Sequence, residues 1–457
     1  MALFYTLPLG YVLSFDRRLL RGLFFVMMLI PLVFAKTAIN FFPDELYRGT
    51  ARGMEISLVY LLCISALLAM HLRKVRIYFY VRGLWAYILL FLCSVVSVIN
   101  AESALISFYE LWKMLMMYLV LVCVYSYLRH SKDYEVFVWG IACMLLLSFL
   151  AVVKGKYLDG IYQARGVFPH QNSMGMYLNL ICPVFLAGWM QCKSFFKSSF
   201  FAICLLLNAA ALISTYSRGT ILCFPIGCAV TTVLCLTTGI NTRKLRILVC
   251  MALCALVGTG LFLSQVMYRF KNASTASGNA RIFYATAAWN MIKAEPLGVG
   301  VNNWSLKMDR YYPYNPKYLE PERWENRQEE KPWGIVETVY LLVGAECGWL
   351  GLLALLCWYA AVFALGWRSL PAYRQHSQFY LLAGICGGLV AVFLHSTLEW
   401  VLKQQINFIQ MMIVYAIVAS MLEHQRSGTL PQSVPASLKT GKLQAADSTT
   451  GNSRTAS

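Results

Sequence analysis

The sequence is poor in charge. Only 13% of its 457 residues are Asp, Glu, Lys or Arg, and the acidic ones number 21 against 39 basic. A soluble domain of this size needs a more polar surface than that, and it does not need 59% apolar residues. No CxxC pair occurs among the 15 cysteines, and none of them lies in the polar stretch 268–334. They fall in or beside apolar runs, as small buried side chains do, and this argues against a disulfide framework and a metal knuckle. No DxD motif and no cluster among the six histidines offers a metal site. No clear internal repeat is present. No small-residue cleavage site follows "FDRRLLRG" (15–22) and its apolar run, which predicts a retained first span.

What the chain does have is long apolar runs. Stretches of about 17–25 residues recur, enough to cross a bilayer as helices. Lipid leaves no partner for unpaired backbone, and the runs are too long for barrel strands. The fold class expected is all-α, a polytopic transmembrane bundle of about twelve helices. The spans are placed near 22–40, 55–71, 84–99, 105–128, 135–153, 173–190, 196–214, 219–237, 246–266, 335–366, 378–399 and 405–422. The net charge of +18 sits largely in short loops between these runs, where it sets orientation and not nucleic-acid binding. With the N-terminus inside, six inside loops are all basic: "DRRLLR", "HLRKVRIYFYVR", "RHSKD", "QCKSFFK", "NTRKLR" and "WRSLPAYRQH". The short outside loops are mixed or nearly neutral, and 154–172, with Lys154, Lys156 and Arg165, fits least well. Both termini are then cytoplasmic.

Two units follow: a membrane domain, 1–424, and a polar, unpatterned cytoplasmic tail, 425–457, expected to be disordered. Residues 267–334 form one large outer loop. In it, Ile282, Ala285, Trp289 and Ile292 recur at three- and four-residue steps, which predicts an amphipathic helix over 280–296 lying at the membrane surface.

That topology sorts the polar residues at the helix ends. Arg165, Arg218, Arg281, Glu337, His395 and Glu399 all fall at the outer face, and His395 and Glu399 share a helix face at i,i+4 spacing. Each has a plain structural alternative. Arginine at a helix end also snorkels to headgroups, His395 also serves as a hydrogen-bonded bundle residue, and Glu399 also serves only to orient it. Glu346, about 14 Å below Glu337 at 1.5 Å per residue, reads as a neutral or paired packing residue. Glu110 and Lys113 read as a structural pair. Without metal ligands, outer arginines suit pyrophosphate, because a guanidinium offers a permanent planar fork to phosphate oxygens. A carboxylate or imidazole beside them could take a proton from an attacking hydroxyl. The rival class is a transporter, which places its coupling charges near mid-membrane and often has repeated halves.

From about 165 to 410 the sequence resembles the O-antigen ligase superfamily, which also holds O-antigen and exopolysaccharide polymerases. The stretches that carry the resemblance are "RGVFPHQNSMGMYL" (165–178), "STYSRGT" (214–220), "RIFYATAAWNMIKAEPLGVGVNNW" (281–304), "ETVYLLVGAECGWLG" (337–351) and "HSTLEW" (395–400). The resemblance implies a bacterial inner-membrane glycosyltransferase that works at the periplasmic face. Its donor would be an undecaprenyl-pyrophosphate-linked glycan, its acceptor a glycan or lipid A-core, and it would invert configuration with no cofactor and no metal. Arg218 and Arg281 would bind pyrophosphate, Arg165 and Asn172 would shape the site, and Glu337 would be the base. Glu337 stands where ligases carry a histidine and Thr338 where they often carry asparagine. This leaves polymerase and ligase both open, makes His395 a substitute base, and keeps a non-catalytic homologue in view.

Overall fold

Apolar residues dominate the helices of this computed structural model, which describes residues 2–29, 38–271, 275–328 and 333–430. In chain order the longer helices are α1 (Ala2–Phe15), α2 (Arg17–Met27), α3 (Leu58–Leu72), α4 (Leu84–Ser97), α5 (Ala104–Ser131), α6 (Glu135–Val153), α7 (Gln171–Gln191), α8 (Phe195–Ser214), α9 (Arg218–Leu236), α10 (Thr242–Lys271) and α11 (Thr275–Ala294). Two one-turn helices, α12 (Pro316–Leu319) and α13 (Pro321–Trp324), precede α14 (Val339–Tyr373), α15 (Phe379–His395) and α16 (Gln405–Arg426). Among the described residues seven helices are long and apolar enough to cross a membrane: α5, α6 with its extension to Leu158, α7, α8, α9, α14 and α16. Helices α3, α4 and α15 are shorter and apolar. The chain is a polytopic helical bundle.

Ten of the expected spans coincide with these helices, and the one at 246–266 lies within α10. The span expected at 22–40 is different. Helix α2 starts at Arg17, capped by Asp16, and ends at Met27. At the other end Ile39–Phe41 is a strand, β1, paired antiparallel with β2 (Met54–Ile56). Residues 30–37 lie outside the described residues. Helix α1 was not anticipated. It packs on α3, where Gly10 lets its backbone approach Leu68 and where Ser65 Oγ donates to Thr6 O at 3.0 Å.

The centre of the bundle is α7 and α16, both almost wholly buried, while less than half of α8 is buried. Helix α15 lies against α7 and α9 through "GICGG". A Cβ at Gly384 or Gly388 would run into the backbone of Val184 or Leu180, and one at Gly387 into Thr231. In a bilayer, where lipid is as apolar as leucine, such close backbone approach is what drives helices together.

Loop contacts fall into two sets, one at each end of the bundle. The loops read as inside join one another: Arg21 pairs with Asp133 at 2.6 Å, Arg82 with Glu423 at 2.5 Å, Lys197 with Glu135 at 2.6 Å, and Lys132 donates to Thr429 O. The loops read as outside join one another likewise: Lys156 to Tyr216, Ala164 N to Ser214 O, Thr50 N to Asn302 Oδ1, Ser103 N to Asn303 Oδ1. Helix α16 runs to Arg426, and Lys132 reaches Thr429, so order extends a few residues into the expected tail; the rest, 431–457, lies outside the described residues.

In the large outer loop the expected helix is present as α11, but with another face inward. Phe283, Tyr284, Ala287, Ala288, Met291 and Ile292 are buried against Leu342 and Ala345 of α14. Ile282 and Trp289 are exposed, and Trp289 meets Trp349 edge-on at 5.7 Å between ring centres. The helix is therefore docked on the bundle by one side while Ile282 and Trp289 on its opposite side face outward. After α11 the chain turns in through "PLGVGVNNW". Helix α14 is broken there: Gly348 has φ 70° and ψ −174°, a conformation essentially confined to glycine. The break leaves carbonyls without their helical donors. Val299 N donates to Ala345 O at 2.9 Å and Gly300 N to Glu346 O at 3.1 Å. Irregular backbone at this depth survives because its polar groups find protein partners.

Candidate functional site

Four elements bring charged groups to one point at the end of the bundle read as outer. Arg281 projects from α11, Glu337 stands just before α14, Glu399 follows α15, and Arg218 opens α9. Arg281 is shared. Its Nε forms an ion pair with Glu337, and its Nη2 donates to Glu399 Oε1 at 3.1 Å. Asn172, in the first turn of α7, hydrogen-bonds Glu399 from the other side. His170 caps α7, its Nδ1 accepting from Asn172 N at 3.2 Å, and so sets where Asn172 begins the helix. Partial desolvation and Arg165 nearby hold the His170 ring below its ordinary range, which suits an acceptor nitrogen. Arg218 follows the N-cap Ser217 and lies close enough to Glu337 to act on its charge.

The two carboxylates differ. The Glu337 side chain is 38% exposed and that of Glu399 only 7%. Burial raises both above the usual carboxylate range. For Glu337 the neighbouring Arg281 and Arg218 oppose that rise. For Glu399 burial acts first, the negative Glu337 adds to it, Arg281 and Asn172 oppose it, and its carboxyl is pushed up to about 7. The site thus holds one open carboxylate and one enclosed carboxyl that titrates near neutrality, both on one guanidinium.

Of the other residues read from sequence, His395 is fully buried behind the Arg218 turn. Asn179 Nδ2 lies 3.2 Å from its Nδ1, and the ring edge lies where a Cβ on Gly219 would be. Arg165 is exposed and donates to Pro169 O at 3.3 Å. Glu346 is paired: Lys403 Nζ lies 3.2 Å from its Oε2 and 3.4 Å from Glu110 Oε1, and Glu110 also pairs with Lys113 at 2.5 Å. Lys403 was not singled out from sequence. It lies eight residues past the end of α15, where a lysine reads as one more headgroup contact. Glu110 and Lys403 border a mostly apolar cavity with Leu90, Met114, Val343, Trp358 and Phe408, which lies at the buried network and not at Arg281. Among the described residues no three His, Cys, Asp or Glu side chains converge as metal ligands do.

Residues 203–356 match a family model described as O-antigen ligase. The matched stretch includes Arg218, Arg281, Glu337 and Glu346, and leaves Arg165, Asn172, His395 and Glu399 outside it. No curated protein matches the chain. Over that third of the chain, this polytopic helical bundle is similar to the O-antigen ligase family.

Proposed function

We propose that this membrane glycosyltransferase transfers or polymerises an undecaprenyl-pyrophosphate-linked glycan at the periplasmic face of the bacterial inner membrane, with both termini cytoplasmic. The observation that carries the reading is the Arg281 guanidinium, held between Glu337 and Glu399 with Arg218 beside them. Arg218 and Arg281 hold the donor's pyrophosphate, and Arg281 exchanges a carboxylate for phosphate oxygens as the donor enters. Glu337, released and the more open of the two carboxylates, takes the proton of the acceptor hydroxyl. The hydroxyl oxygen attacks the anomeric carbon from the face opposite the leaving group, the bond to the lipid pyrophosphate breaks, and configuration inverts. The two guanidinium charges take up the charge developing on the departing pyrophosphate, so no metal is required for that role. Arg165 and Asn172 shape the entrance, and His395 and Glu399 support the substrate side. The basic loops gathered at the opposite end of the bundle support the orientation.

A polymerase of the same superfamily is the second reading, favoured by glutamate at the position where ligases carry histidine. The transporter reading loses support. Glu110 accepts from Thr50 Oγ1, Lys113 donates to Thr50 O and the Glu346 carbonyl accepts from Gly300 N, so these buried charges adjoin segments read as outer. Purified protein given lipid-linked glycan and candidate acceptors tests the proposal. A product on lipid A-core identifies a ligase, and a longer lipid-linked chain a polymerase. Arg218→Ala should insert normally and lose about 10²–10³-fold in turnover, the scale of one lost electrostatic donor. Full activity in that variant would sink the pyrophosphate role.

A further inference from the structure

Glu337 and Glu399 come from segments far apart in sequence, yet both must meet one guanidinium. The segments are tied together at several levels. At the top is Arg281 itself. Next, Val339 N donates to Ser396 O at 3.1 Å, and Tyr340 OH to Phe393 O at 2.8 Å. At the bottom lies the Lys403–Glu346 pair, four residues beyond Glu399 and nine beyond Glu337. The same lysine reaches Glu110 on α5, and Glu110 accepts from Thr50 Oγ1 at 2.6 Å. Thr50 N and Oγ1 in turn bond Asn302, in the inward-turning segment whose Gly300 N donates to Glu346 O. On the far side Asn407 Nδ2 donates to Val401 O at 3.0 Å and to Ser173 O at 3.3 Å, one residue from Asn172. The turn 401–403 is thereby fixed against α14 and α7, which border two of the site's groups, Glu337 and Asn172.

We infer that Lys403 is a positioning residue for the transfer reaction: by pairing with Glu346 and Glu110 it sets where Glu399 and Glu337 stand relative to Arg281. The inference rests on the proposed transferase reading. Two features separate it from an ordinary packing pair. A buried ion pair is seldom the most stable filling for such a space, since apolar residues of equal volume often do as well. This one joins the two strands of chain that carry the site carboxylates. The groups facing Glu399 are Arg281, Glu337, Asn172 and, one turn back, His395. Lys403 is not among them, so its influence is carried by the chain and not by its charge.

The test uses full-length protein in lipid nanodiscs. The variants are Lys403→Met, Lys403→Arg and the double variant Lys403→Met with Glu346→Gln. The double variant removes the tie without leaving Glu346 as an unpaired buried charge, and keeps the experiment open if the single one does not fold. Infrared titration follows the carboxyl band that is lost in Glu399→Gln. With the tie gone, Glu399 moves off Arg281, and its midpoint should rise by about one pH unit or more in both Met variants, with Lys403→Arg close to wild type. Turnover should fall about a hundredfold, the scale of an ångström of misplacement, with donor KM within about twofold. An unchanged Glu399 midpoint in the folded variants overturns the inference. So does a shift in Lys403→Met that vanishes in the charge-balanced double variant, because that would mark a through-space charge effect. Should the wild-type protein transfer no glycan, the transferase reading fails, while the infrared measurement still decides whether Lys403 places Glu399.

Discussion

Replacing Glu399 by glutamine should make the protein more stable at alkaline pH and leave it little changed in acid. The side chain is 7% exposed, and its carboxyl is raised from an ordinary 4.5 to about 7 by burial and by Glu337. A raised carboxyl means that the folded protein holds the proton more tightly than the unfolded chain. The stability this contributes is fully present below about pH 4.5 and is lost as pH rises through about 7. At about 1.4 kcal/mol per pH unit, the folded protein above pH 8 has lost about 3 kcal/mol relative to pH 4. Glutamine keeps the shape and an oxygen that can accept from Arg281 Nη2, but it carries no charge and pays none of that penalty. Thermal unfolding in nanodiscs, followed by tryptophan fluorescence from pH 5 to 9, provides the measurement. The midpoint difference, variant minus wild type, should be small at pH 5, grow through pH 7, and level off at several degrees above pH 8. The rate of glycan transfer in the variant should also lose any inflection near pH 7. A flat difference across this range, or one that grows toward acid, would refute the assignment of a near-neutral carboxyl to Glu399.

Two further outcomes are expected. Glu337→Gln should lower turnover by about 10²-fold or more with normal insertion, as loss of a general base does, measured as product from purified protein and lipid-linked glycan. Gly348→Ala should destabilise the fold by more than about 2 kcal/mol, because φ of 70° strains any Cβ-bearing residue and the new methyl would meet the Pro296 carbonyl; a lowered unfolding temperature reports it.

Much of the candidate site could be read in advance because charge is scarce. With so few ionisable residues, those at helix ends stand out, and the alternation of basic loops puts Arg218, Arg281, Glu337 and Glu399 at one end. The loop contacts bear out that alternation. What could not be read is who pairs with whom. Periodicity places Glu399 and His395 on one helix face, but one is held on Arg281 while the other is enclosed behind Arg218. Lys403 gave no signal in the sequence, since an ion pair between residues 57 apart leaves no local pattern.

The sequence by itself determined the class of the fold, most spans and which loops share an end of the bundle. These follow from length, hydropathy and charge, each a local property that the bilayer acts on directly. Only the tertiary structure decided that α11 turns Phe283 and Met291 inward and leaves Ile282 and Trp289 outside. Only it decided that "PLGVG" enters the bundle to satisfy the broken turn of α14, and that one arginine serves two carboxylates. The physical reason is the same in each case. Lipid and protein interior are equally apolar, so hydrophobicity marks what leaves water but not which protein face receives it. That choice is made by packing, by unsatisfied carbonyls seeking donors, and by buried charges seeking partners.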